Sequence, residues 1–93
     1  MTILQAQVSP AQSERLEAAF QEAVKTLDPG ILQTFCVRST KVPTMWRIIT
    51  VWESRAALDA MRASGETPRG VQIFREALAE PTLMVFDVIG RGG

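Results

Sequence analysis

Trp52 and Glu53 form the adjacent pair in this chain best suited to chemistry on a small organic molecule. An indole offers a flat apolar wall and one N–H donor. A carboxylate withdrawn from water can take a proton from a phenol or from carbon, although a carboxylate here also fits a solvated residue at a helix start. Trp46 lies six residues before Trp52, on the same face of an extended strand. The two rings could wall a flat ligand or pack into core. Thr34 and Thr50 could hydrogen-bond a ligand or each other as a cross-strand pair. Cys36 is the only thiol, and with no histidine to activate it a mid-strand cysteine reads as inert packing. Met61 and Phe74 complete the candidate lining from helical positions. Arg38 and Arg47 could each hold a carboxylate, pair across an interface or lie along the sheet end.

The missing residue types narrow the chemistry further. The chain has no histidine and no tyrosine. A His-ligated zinc or haem is therefore excluded, as is any Ser-His-Asp or Cys-His arrangement. No GxGxxG or phosphate-binding loop occurs. The expectation is no metal and no cofactor, with catalysis resting on carboxylates, arginines, hydroxyls, one thiol or the substrate's own reactivity. Ten Lys and Arg balance ten Asp and Glu without clustering, which argues against nucleic-acid or membrane-surface partners. No apolar run approaches the ~20 residues of a membrane span, and no signal peptide is recognisable. A single cysteine suits a cytoplasmic location.

The elements that must position these residues follow from periodicity. Residues 1–93, 46% hydrophobic, suffice for a single globular domain. Thr2 to Val8 alternates as a strand. Ser9-Pro10-Ala11-Gln12 carries a helix cap, an N1 proline and a capping box. Leu16, Ala19, Phe20, Ala23, Val24 and Leu27 then form an apolar helical stripe, ended by Asp28-Pro29-Gly30. Ile31 to Ser39 and Met45 to Glu53 read as an antiparallel hairpin around Pro43. Ser54 caps a helix carrying Ala57, Leu58 and Met61. A second helix follows Thr67-Pro68, with Arg62 to Gly70 as an irregular connection that could flex as a lid or simply turn. Pro81 stops that helix, and Thr82 to Ile89 is a last strand. The order βαββαβ is the α+β, ferredoxin-like plan, a four-stranded antiparallel sheet with helices on one face.

A hairpin centred near Val42 puts Leu32, Thr34, Cys36 and Arg38 on one face with Trp46, Ile48, Thr50 and Trp52. The other face holds Ile31, Gln33, Phe35 and Val37 with Met45, Arg47, Ile49, Val51 and Glu53. Both faces are apolar, and three short helical segments cover only one. The uncovered face calls for a second copy, so a homodimer through the sheet face is expected.

The stretch WRIITVWESRAALD, from Trp46 to Asp59, resembles the third strand and following helix of the antibiotic-biosynthesis-monooxygenase-like family. Phe74-Arg75-Glu76-Ala77-Leu78, Pro81 and the last strand fit that family in order and spacing. The resemblance implies a dimeric α/β barrel. For the members that oxidise phenols to quinones without a cofactor, it places Trp52 at the tryptophan preceding the Glu-Ser pair. Those members carry an asparagine four residues earlier and a tyrosine six residues later, where this chain has Ile48 and Leu58. Many relatives have a histidine where Met61 stands, and the haem-degrading branch needs a histidine ligand.

The functional expectation is a small-molecule pocket lined by Trp46, Trp52, Thr34, Cys36, Met61 and Phe74, with Thr50 alongside and Trp52 and Glu53 as the catalytic candidates. The resemblance implies cofactor-independent oxygenation of a small aromatic or enolisable compound. A non-catalytic binding or sensing dimer stays open, as does a structural partner of another chain.

Overall fold

The computed structural model describes residues 1–93, and its elements follow the expected order. They are β1 (Thr2–Gln7), α1 (Ser13–Ala23), β2 (Ile31–Arg38), β3 (Met45–Trp52), α2 (Arg55–Ala63), α3 (Arg69–Glu76) and β4 (Thr82–Val85). All strand pairs are antiparallel in the order β2-β3-β1-β4, which is the ferredoxin-like α+β topology.

The hairpin forms in the register that its alternation dictates, with Thr34 opposite Thr50, Cys36 opposite Ile48 and Arg38 opposite Trp46. At the far end a β-bulge intervenes, and Ile31 rather than Leu32 pairs with Trp52. Strict alternation assigns Leu32 to the Trp52 face, whereas the bulge leaves Leu32 unpaired and 52% exposed. Period-two reasoning cannot foresee such an insertion, because it assumes an unbroken ladder.

The helix ends differ from the capping signals in instructive ways. Pro10–Gln12 forms a 3₁₀ turn ahead of α1, and Ser9 makes no side-chain cap. Ser13 Oγ instead donates to the Pro10 carbonyl at 2.9 Å. The helix stops at Ala23, short of Leu27, which is 41% exposed. Ser54 does cap α2, its hydroxyl accepting from the Ala57 N–H at 3.1 Å. The last strand is shorter than expected. Met1 and Phe86 exchange backbone hydrogen bonds at 2.8 Å, and beyond them β4 has no neighbouring strand.

The core lies between the inner sheet face and the helices. Leu4, Ala6, Val8, Trp46 and Ile48 meet Leu16, Phe20, Ile73 and Phe74 there. Gly70 lets α3 press onto the sheet: a Cβ at that position would stand 2.6 Å from Leu4 Cδ1. Gly30 has the same role at the other end of the inner face. Its φ of +88° is left-handed, and its carbonyl accepts from the Glu53 N–H at 2.8 Å. An added Cβ would meet Ala57 Cβ at 2.7 Å, with the Trp52 ring at 3.8 Å. Gly30→Ala combines backbone strain with a clash against an atom that cannot rotate away. It is expected to cost about 2 kcal/mol or more in urea denaturation, whereas a loss within about 0.5 kcal/mol would contradict this packing.

Candidate functional site

The helices do not cover the inner face evenly. α1 and α3 pack over one end, while α2 stands off the other, and a cavity of about 710 Å³ opens between them. Its floor is sheet: Thr2 and Leu4 from β1, Thr50 and Trp52 from β3, and Leu83 from β4. Leu58 and Met61 supply the α2 wall, and the mouth is bordered by Ser64 to Pro68, the connection between α2 and α3, and by Arg69 and Gly70, which the sequence pattern assigns to the irregular stretch but which form the first turn of α3.

The candidate residues divide between two places. Trp52, Thr50 and Met61 line the cavity. Trp46, Thr34 and Cys36 line a separate open groove of about 490 Å³ between α1 and edge strand β2. Phe74 is fully buried in the core and lines neither. The division is geometric: at about 3.3 Å per residue, six residues separate Trp46 from Trp52 by roughly 20 Å. A shared face therefore does not make a shared pocket. Glu53 is exposed and lies outside the cavity lining. Arg38 stacks over the Trp46 ring at 5.5 Å, and Arg47 Nε donates to Gln5 Oε1 at 2.7 Å on the opposite sheet face, so neither faces the cavity.

Thr2 is the floor residue that side-chain chemistry alone did not single out. It is 7% exposed and pairs with Thr50, which pairs in turn with Thr34, so three threonines cross β1, β3 and β2 in one row. The Trp52 Nε1–H donates to Thr2 Oγ1 at 3.1 Å, and the Thr34 and Thr50 hydroxyls share a hydrogen bond at 3.2 Å. Alternation with Leu4, Ala6 and Val8 already places Thr2 on the inner face. Only the β1–β3 pairing brings it beside Thr50.

Charge is confined to the rim. Arg69 donates to the carbonyls of Ala23, at 3.0 Å, and Thr26, and to Asp28 Oδ1 at 3.1 Å, tying the start of α3 to the end of α1. Arg75 and Glu80 form a two-point pair at 2.9 and 3.1 Å. Hydrogen bonding and charge from Arg75 hold the Glu80 carboxyl below its ordinary range. Arg62, in the last turn of α2, makes no ion pair. No group of three or more His, Cys, Asp or Glu side chains is arranged to hold a metal ion, and no helix is long and apolar enough to cross a membrane.

Residues 1–80 match the family model described as antibiotic biosynthesis monooxygenase. The chain belongs to that family. Solved structures agree at the level of fold. A candidate antibiotic biosynthesis monooxygenase from Caulobacter crescentus CB15 superposes with a TM-score of 0.67 at 20% identity, covering 96% of this chain and 89% of that one. A second candidate, from Deinococcus radiodurans, gives 0.65 at 16% identity over 100% of both chains. A third, from Chloroflexus aurantiacus J-10-fl, gives 0.61 at 23% identity, covering 98% of this chain and 94% of that one. A search of curated proteins finds no match. Within this antibiotic biosynthesis monooxygenase fold, Ile48 is 3% exposed in the core, and Leu58 lies on the cavity wall at 2% exposure. The polar groups that the quinone-forming members carry at these two positions are thus replaced by aliphatic packing.

Burial, with Glu17 nearby, pushes the Cys36 thiol up to about 11. The folded state therefore holds its thiol proton more tightly than the unfolded chain. The stability this provides is intact below the ordinary thiol range and falls as pH rises through about 11. Iodoacetamide labelling of native Cys36 at pH 8 is expected to be at least tenfold slower than in urea-unfolded protein, and to accelerate only as pH approaches 11. Equal rates at pH 8 would contradict this environment.

Proposed function

We propose that this chain is a homodimer, joined through its open sheet face, whose inner-face cavity binds a small aromatic or enolisable compound and lets it react with oxygen without a cofactor. The cavity beside Trp52 is the observation that carries this reading. Its size falls within the ~300–1,000 Å³ of small-molecule sites, and it joins an apolar wall of Trp52, Leu58, Met61 and Leu83 to hydroxyls on the floor and charged side chains at the mouth. In such a site the protein supplies a dry enclosure and orientation, and the ionised substrate supplies the electrons. The balance closes without an added reductant. A phenol takes one atom of O₂ onto a ring carbon and becomes a quinone, while its ring C–H and O–H hydrogens leave with the other atom as water.

Trp52 serves as the wall of this pocket. Glu53 enters as a base only through its place directly after Trp52. Met61 borders the ligand. Trp46, Thr34 and Cys36 support the sheet behind it or line the second groove, and Phe74 holds α3 in place.

The dimer rests on the uncovered face. Ile3, Ile49, Val51 and Met84 lie there half-buried, with Phe35 47% and Val37 39% exposed. The subunit exposes 6236 Å², against about 5,300 Å² expected for a monomer of 10.2 kDa. The exposed residues from Phe86 onward contribute to that excess together with the uncovered sheet face. The lone thiol fits a cytoplasmic location. A second reading, a non-catalytic binding dimer, draws support from the exposed position of Glu53 and the aliphatic Ile48 and Leu58.

Native mass spectrometry should find a dimer at micromolar concentration, and Ile49→Lys should make it a monomer; a wild-type monomer would overturn the dimer. Oxygen uptake with dihydroxynaphthalenes separates the two functional readings. An enzyme loses at least tenfold in kcat/KM on Trp52→Ala and less on Glu53→Gln, whereas a binder saturates with the same compounds and returns them unchanged.

A further inference from the structure

The cavity floor carries a polar arrangement that the pocket reading by itself does not use. Thr2 and Thr50 face one another across the β1–β3 ladder, and both line the cavity. The Thr2 hydroxyl is backed by a donor, and the Thr50 hydroxyl by a hydrogen bond in which either oxygen can donate. Indole N–H can only donate, so Trp52 Nε1–H fills an acceptor position on Thr2 Oγ1 and leaves the Thr2 proton unused. Thr2 Oγ1 makes no second hydrogen bond within the chain. Thr34 stands behind Thr50. Their shared hydrogen bond runs in either direction, and when Thr34 donates, the Thr50 proton is released toward the cavity.

We infer that the Thr2 and Thr50 hydroxyls form a two-proton cradle for an anionic oxygen of the ligand, a phenolate or an enolate. The inference rests on the reading of the cavity as a site for such compounds and names the group by which they are held. An anionic oxygen accepts both protons at once, and two short relays converge on it, Trp52 to Thr2 and Thr34 to Thr50. Each relay strengthens its terminal bond, because a hydroxyl that accepts a hydrogen bond becomes a better donor. A neutral phenol has to give up one of these contacts in order to donate its own proton. The arginines lie at the rim, so the floor selects charge through oriented hydroxyls in a half-dry site, where charge-assisted bonds are strong. The proton lost by the ligand leaves through the open mouth to water. Ionisation is also what prepares a phenol or enol to pass an electron to oxygen, so the cradle would act on the reactive form itself.

The experiment uses 4-nitrophenol, whose ionised form is coloured, and titrates the bound and free compound side by side. Bound to the native protein, its pKa should fall by about one unit, corresponding to roughly tenfold tighter binding of the phenolate than of the phenol. Thr2→Val and Thr50→Val should each weaken phenolate binding about tenfold or more and leave binding at low pH nearly unchanged. Thr2→Ser and Thr50→Ser should restore the shift. Thr34→Val should reduce it without touching the ligand, and it keeps the test available if the buried Thr2→Val protein fails to fold. Binding with an unshifted or raised pKa, or valine variants that keep the shift, would overturn the cradle and leave the pocket standing. Failure of 4-nitrophenol to bind the native protein at any pH would overturn the pocket reading and the cradle together.

Discussion

Met45 to Trp52 hydrogen-bond on one side to β1 and on the other to β2, and the two registers along this central strand govern the rest of the molecule. In the first, Thr2 lies opposite Thr50; in the second, Thr34 lies opposite Thr50. Because side chains alternate, a slip of one residue in either ladder would send Trp46, Ile48, Thr50 and Trp52 to the open face and leave the helices without a core. The register is held by burial at one end, where Trp46 and Ile48 pack under α1 and α3. At the other end it is held by hydrogen bonds, from Trp52 to Thr2 and between Thr34 and Thr50. One end of the strand is thus core, and the other is pocket floor.

The cavity is a consequence of helix length. α2 and α3 have nine and eight residues and are joined by a connection without regular structure. Each helix spans only about 12–14 Å, less than the breadth of a four-stranded sheet. α3 makes close contact at Gly70, α2 is seated by the Ser54 cap and Gly30, and the space between them is left to the connecting segment. Arg69 and the Arg75–Glu80 pair brace its rim from outside. Such an arrangement fixes the walls while leaving the mouth in the least constrained part of the chain.

The family fold is kept here with an altered set of polar groups. Aliphatic Ile48 and Leu58 consolidate core and wall, and the hydrogen-bonding capacity of the floor sits on Thr50, two residues along the same strand as Ile48, and on Thr2 of neighbouring β1. Threonine is a natural choice for that place. Its β-branched side chain suits a strand, and its hydroxyl can accept from behind while donating forward. Trp52 changes meaning in this setting. Its N–H is committed to Thr2, so what the indole offers the cavity is its apolar surface and not a free donor.

The sequence alone determined what depends on neighbours along the chain. The order of strands and helices, the hairpin register near Val42, the Ser54 cap and the apolar character of both sheet faces all follow from alternation, helical spacing and turn residues. Local patterns failed at the bulge that turned out Leu32, at the uncapped Ser9, at the early end of α1 before Leu27 and at the shortened β4. The resemblance of Trp46–Asp59 was enough to identify the family, because that segment is a structural signature as much as a functional one. The membership of the site was decided only by tertiary structure. A shared face is a one-dimensional statement, whereas a pocket also requires two residues to stand at the same height along the sheet. The six-residue spacing of Trp46 and Trp52 already set them apart on that axis, and the packing of α1, α2 and α3 gave each its own cavity. The fold brought Thr2 to Thr50 across 48 residues of chain, through a strand pairing that no local pattern encodes.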